Sequence, residues 1–171
     1  MILNRQTAVR IPVSKFEAFL DRVRRKLRVP AGAVSVCFVT NAQMARWNRA
    51  YRNKRGPTDV LSFPADSGNQ RRARGSGSRQ SRISARAAKE VLSSASFASP
   101  TSSSSYLGDI AIAPAVARAN ARRFGRTFSD ELRILILHGV IHLMGYDHET
   151  DHGEMDRLEQ SVRRSLGLMP R

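Results

Sequence analysis

The chain has 171 residues, 41% of them hydrophobic, a single cysteine, and a net charge of +15 from 29 Lys+Arg against 14 Asp+Glu. That length allows one domain with a sizeable core and excludes two comfortable ones, and the lone Cys37 excludes an internal disulfide or a multi-cysteine zinc site. No run approaches the roughly 18–20 apolar residues that span a bilayer, and Met1-Ile2-Leu3-Asn4-Arg5 lacks the apolar core of a signal peptide, so the expected compartment is the cytoplasm, with no membrane partner.

Residues 2–9 read as an edge strand. Ser14 and Glu17 have capping-box spacing, and Phe16, Leu20, Val23 and Leu27 then recur on one helical face, with Pro30 and Gly32 ending the helix. Residues 33–39 alternate as a half-buried strand, in which Cys37 is a structural thiol. Asn41 is placed to cap a helix carrying Met44, Trp47 and Tyr51, and Thr58 to Phe63 reads as a strand closed by Pro64. From Ser67 to about Ser105 the composition shifts to Ser, Arg, Gly and Ala, too poor in apolar surface to offset its ordering entropy. This stretch reads as a mobile insertion, with a weak helix around Ala85–Leu92. It carries +6 of the net charge, so the rest of the chain keeps +9. An excess of positive charge favours polyanions, although only Lys15, Lys26, Lys54 and Lys89 are lysines, and an excess that is nearly all arginine also has a compositional origin.

Tyr106 to Ile112 reads as the next strand. Pro114 opens a helix that Gly125 ends. Ser129 or Thr127 caps a further helix, with Asp130 and Glu131 in its first turn. From Leu132 to Met144 that helix is apolar nearly all round, which marks it as central and buried. A last helix over about 152–166 carries Met155, Leu158 and Val162. The irregular interleaving predicts an α+β (mixed α/β) fold: a small central sheet of about four strands, about five helices, and one domain over 1–171 interrupted at 67–105.

Three of the four histidines fall within His138-Gly139-Val140-Ile141-His142-Leu143-Met144-Gly145-Tyr146-Asp147-His148. On a helix His138 and His142 share a face, one turn apart. Gly145 lets the chain turn, so that His148 can return as a third ligand. Three nitrogens leave a fourth position open, the arrangement of a catalytic rather than a structural zinc site. Uncompensated imidazoles on so apolar a helix would each cost about 1–3 kcal/mol in unmet hydrogen bonds. Asp147 is a candidate to orient a ligand imidazole from behind, and His152, at a helix start, reads as a solvated surface residue. The spacing matches the zinc-protease pattern HExxHxxGxxH, but Gly139 stands where that pattern has its glutamate general base, which argues against proteolysis.

The same run, with Met155 and Glu159 downstream, resembles the signature of the YbeY-type endoribonuclease family. Asn48-Arg49-Ala50-Tyr51-Arg52 with Pro57-Thr58-Asp59-Val60-Leu61-Ser62-Phe63-Pro64, and Leu107-Gly108-Asp109-Ile110, are similar to two further family segments. The likeness spans most of residues 1–66 and 106–166, and the stretch 67–105 departs from it. The resemblance implies a cytoplasmic, single-strand-specific metallo-endoribonuclease that acts in maturation of the 16S rRNA 3′ end and in ribosome quality control. It implies one zinc ion on His138, His142 and His148, RNA (the 16S rRNA precursor) and the ribosome as partners, and Arg52 as a catalytic residue that engages the substrate phosphate. Two other readings share the ligand spacing: a metalloprotease-like hydrolase, and a non-catalytic ribosome-associated factor whose metal is structural.

Overall fold

The structure is a computed structural model and describes residues 1–65, 105–147 and 151–169. The expected insertion, Ser105 apart, and His148 lie outside the described residues. Nine elements follow along the chain: β1 (Ile2–Asn4), α1 (Val13–Lys26), β2 (Val34–Phe38), α2 (Asn41–Arg52), β3 (Val60–Pro64), β4 (Gly108–Ile112), α3 (Pro114–Arg123), α4 (Phe128–Leu143) and α5 (Glu154–Leu166). Among the described residues this is the expected α+β architecture of four strands and five helices.

The four strands form one sheet in the order β1-β2-β4-β3; β1, β2 and β4 run parallel, and β3 pairs antiparallel with β4. Side chains alternate across a strand, so Val34, Val36 and Phe38 of β2 join Ile110 and Ile112 of β4 on one face. There they pack with Phe16, Phe19, Leu20 and Val23 of α1 and with Leu132, Ile136, Leu137, Val140 and Ile141 of α4. The other face carries Cys37, Leu61 and Ala111 and is covered by Met44 and Trp47 of α2. Phe63 of β3 receives Trp47 and Tyr51 edge-on, with ring centroids 5.7 and 5.0 Å apart. With helices on both sides, β2 is buried along its whole length, where sequence alternation suggested a half-buried strand. Ser35 was the misleading residue: it is buried too, and its hydroxyl meets the Tyr106 phenol, which also donates to the Asp109 carboxylate at 2.6 Å. Burial pushes the Cys37 thiol up to about 11, in keeping with a structural rather than a reactive cysteine.

Several boundaries moved, each for a local reason. β1 stops at Asn4 because the Gln6 side chain folds onto the Val9 backbone, accepting from its N–H and donating to its carbonyl, each at 2.8 Å. The Ser14–Glu17 capping box does not form. Pro12 is the N-cap without a side-chain bond, and Glu17 accepts instead from the Ile2 N–H at 3.4 Å. That helix ends at Lys26, ahead of Pro30, because Arg28 takes a left-handed conformation (φ 57°). Thr40 rather than Asn41 caps α2. Thr58 and Asp59 precede β3: the Asp59 carboxylate accepts from the Val60 N–H at 2.9 Å and from the Asn120 amide of α3 at 3.0 Å, fixing the entry to the strand. Gly108 has no substitute at its position, since its φ is +144° and a Cβ would sit 2.2 Å from the Phe63 carbonyl oxygen.

Candidate metal centre

α4 is built to carry polar groups on a buried rod. The Thr127 hydroxyl caps it, accepting from the Asp130 N–H at 3.1 Å, and Asp130 and Glu131 lie in the first turn, where carboxylates suit the helix dipole. Three sides of the helix are core. His138 and His142 fall on the remaining strip that reaches solvent, as the one-turn spacing requires.

The two rings stand nearly perpendicular (83°) with centroids 4.6 Å apart. Each is held from its Nδ1 side. His138 Nδ1 lies 3.0 Å from Glu159 Oε2, and His142 Nδ1 lies 3.0 Å from the Tyr146 main-chain oxygen. A carbonyl can only accept, so the proton of neutral His142 is on Nδ1 and its Nε2 presents a lone pair. Glu159 is 6% exposed. Burial alone would raise its carboxyl, but the His138 hydrogen bond and the positive charge of Arg163 outweigh burial and hold it below the ordinary carboxylate range. An ionised Glu159 accepts the Nδ1 proton of His138 in turn. Both Nε2 atoms therefore present acceptor lone pairs, and they face each other at 3.1 Å. Two acceptors that close call for a cation between them, either a proton shared by the pair or a metal ion. Tetrahedral coordination at about 2.0–2.1 Å sets neighbouring nitrogens about 3.3 Å apart, so the spacing suits a metal as it stands.

Glu159 also pairs with Arg163 one turn along α5. It is the functional residue whose role sequence reasoning missed. The signal was present: Met155, Glu159 and Val162 share the buried face of α5, and an acid between two core positions needs a partner there. Among the described residues, Glu159 and the Tyr146 carbonyl stand behind His138 and His142. Asp147, the expected orienting carboxylate, offers its main-chain carbonyl to the Asp151 N–H at 2.9 Å, and the expected ligand next to it in sequence, His148, is outside the described residues. Gly145 does make the expected turn, at φ +96°. Among the described residues no group of three His, Cys, Asp or Glu side chains is assembled to hold an ion. His152 is exposed, as expected.

Arg52 ends α2 and is exposed, on the far face of the sheet from α4. The two faces meet at β3. Tyr51 packs on Phe63 from one side, and from the other the Ser62 hydroxyl reaches the Gly139 carbonyl at 3.4 Å. The residue before Arg52 and the residue after His138 therefore contact opposite faces of β3. Gly139 itself turns inward, where a Cβ would lie 2.8 Å from two carbons of Ile110.

The family model for Endoribonuclease YbeY matches residues 1–167 of the chain. The chain belongs to the YbeY family. Among the family's curated members it is similar to Endoribonuclease YbeY of Solibacter usitatus, 36% identical over 162 residues that cover 93% of this chain and 85% of that one. The YbeY protein of Koribacter versatilis is 33% identical over 168 residues, covering 98% and 86%. The fold is shared with the solution structure of TM1509 from Thermotoga maritima, at a TM-score of 0.54, 23% identity, and coverage of 98% of this chain and 90% of that one. No helix among the described residues is long and apolar enough to cross a membrane.

Proposed function

We propose that the chain is a single-strand-specific metallo-endoribonuclease, acting in the cytoplasm with the ribosome in 16S rRNA 3′-end maturation and in ribosome quality control. One zinc ion on His138, His142 and His148 would be its cofactor. The observation that carries the reading is the opposed pair of Nε2 atoms, each ring fixed through Nδ1, in a chain of the YbeY family. A zinc ion held there supplies Lewis-acid polarisation of a phosphoryl oxygen. The protein's own part is to hold both imidazoles with their Nε2 atoms aimed at one point, through Glu159 and the Tyr146 carbonyl behind Nδ1. Arg52, at the end of the helix that packs on the other face of β3, would engage a substrate phosphate and stabilise charge that develops on it. The positive charge outside the 67–105 stretch gives the sequence-independent attraction that RNA binding needs.

Incubating the purified chain with single-stranded and duplex RNA, with and without a chelator, tests this. Single strands are cut, duplexes are spared, and chelation stops cleavage until a divalent metal is restored. Cleavage that persists after complete metal removal would sink the mechanism.

Glu159→Gln keeps shape but removes the charge behind His138. Partners behind a metal ligand are worth about 10–100-fold in affinity, so the zinc Kd should rise by about that factor in a competition titration. An unchanged Kd would mean that the carboxylate serves α5 packing only.

A further inference from the structure

Among the described residues, Phe124 is the one aromatic side chain that stands largely in solvent, 53% exposed, at the corner between α3 and α4. Nothing in the core accounts for it. Guanidinium groups surround it: Arg126 at 5.1 Å and Arg123 at 5.7 Å from the ring centroid. One turn away Arg118 lies over the Phe128 ring at 5.0 Å. From Pro114 to Thr127 the chain carries Arg118, Arg122, Arg123 and Arg126 and no acidic residue. An exposed apolar ring beside Arg123 and the salt-bridged Arg126, on a stretch with no acidic residue of its own, suits neither an apolar protein interface nor a simple solvated surface. It has the composition of a surface on which unpaired bases stack while cations take the phosphates.

The corner is also fixed in place. Arg126 is anchored through its Nη1, 3.0 Å from Glu131, a carboxylate only 3% exposed. Glu131 and His138 are seven residues apart on α4, two helical turns or about 10 Å, and so share one side of the helix. The anchor thus ties the Phe124 corner to the start of the same helix side that carries the histidine pair.

We propose that Phe124, with Arg123 and Arg126, forms a second contact for single-stranded RNA, a stacking platform about two to three helical turns from the histidines. This rests on the chain acting on RNA, and it concerns a surface distinct from the metal centre. The contact favours single strands because a base must be unpaired to offer its face. It is remote from the reacting phosphate, so it strengthens binding without entering the chemistry.

Binding of a labelled single-stranded RNA of about 12 nucleotides, within the usual site size of such surfaces, is measured by anisotropy in chelator, where no cutting competes. Phe124→Ala should weaken binding about tenfold, a typical loss for one stacked base, while Phe124→Trp restores it. Phe124→Leu should weaken it with the salt slope unchanged, whereas Arg123→Gln should lower that slope by about 0.7. With metal restored, Phe124→Ala raises KM by a similar factor and leaves kcat as it was. If Phe124→Ala binds single strands as tightly as the unaltered chain while cleavage proceeds, the platform is wrong and the enzyme reading stands. If Phe124→Ala instead alters oligomeric state with RNA affinity unmoved, the corner is a protein contact and the proposal falls. An unaltered chain that neither holds nor cuts RNA would overturn both.

Discussion

His142→Ala is expected to abolish RNA cleavage, by about a thousandfold or more, and to bring bound zinc from one equivalent to near zero, while the metal-free protein melts within about 5 °C of the parent. The activity loss follows from removing one of the two described nitrogens that face each other, and a thousandfold corresponds to about 4 kcal/mol, within what Lewis-acid assistance supplies. The small stability change follows from where His142 sits. It is half-buried in the last turn of α4, where its ring meets His138 and the Tyr146 carbonyl among the described residues. Losing one such bond costs about 1 kcal/mol, and alanine returns part of that as a better helix former. His138→Ala is the poorer test, since it strips a partner from the buried Glu159 and disturbs the core through Arg163. Measuring both melts in chelator matters, because a bound ion raises the apparent stability of the native state alone. If the metal were structural, as in a non-catalytic ribosome-associated factor, the parent would itself lose its cooperative transition in chelator, and His142→Ala would behave like the stripped parent. Retained cleavage in a well-folded, zinc-free His142→Ala would remove the metal from the chemistry.

The fold was legible where local pattern and tertiary surroundings agree. α4 was readable as buried because its apolar residues cover nearly every direction, and the neighbouring β4 and α1 consume those faces as expected. Pro114, Thr127, Gly125 and Gly145 punctuate the chain where their backbone chemistry says they should. The misses are cases where a distant partner outbid a local one. Glu17 had capping-box spacing, yet the strand entering at Ile2 offered it an N–H that Ser14 could not match. Ser35 made β2 look half-exposed because no periodicity foretells a tyrosine arriving from 71 residues later to hydrogen-bond it. In the site, the helical spacing of His138 and His142 was enough to bring the rings together. What fixes their tautomers was not, since Glu159 comes from another helix and the Tyr146 carbonyl depends on the turn at Gly145. Arg52 shows the other limit. Its position beside β3 follows from Tyr51 packing on Phe63, which no spacing within α2 reveals.

Gly139 decides between the nuclease and protease readings, and it can be tested directly. Introducing the missing general base, Gly139→Glu, is expected to yield no peptidase and to leave too little folded protein to assay. The sequence argument was one of absence: where the zinc-protease pattern has a glutamate, this chain has none. The structure adds a steric reason. A Cβ at position 139 would lie 2.8 Å from both Cδ1 and Cγ2 of Ile110 and 3.1 Å from its Cγ1. Ile110 is fully buried in β4 between β2 and β3, so it has little freedom to withdraw. Even Gly139→Ala therefore overpacks the helix–sheet contact, at about 1–3 kcal/mol, partly relieved by the better helix propensity of alanine. A glutamate adds the burial of a carboxylate with no partner at that contact, which is more than a marginally stable domain tolerates. The close approach is also what lets α4 lie against the β3–β4 pair, with the Ser62 hydroxyl reaching the Gly139 carbonyl. Position 139 thus sets how near the histidine helix comes to β3, on whose other face Tyr51, the residue before Arg52, packs. Circular dichroism and thermal melts of the alanine and glutamate variants, beside RNA and peptide assays, give the outcome. A stable Gly139→Glu protein would mean that α4 can stand off from Ile110, and one that cut peptides in a zinc-dependent way would return the protease reading to contention.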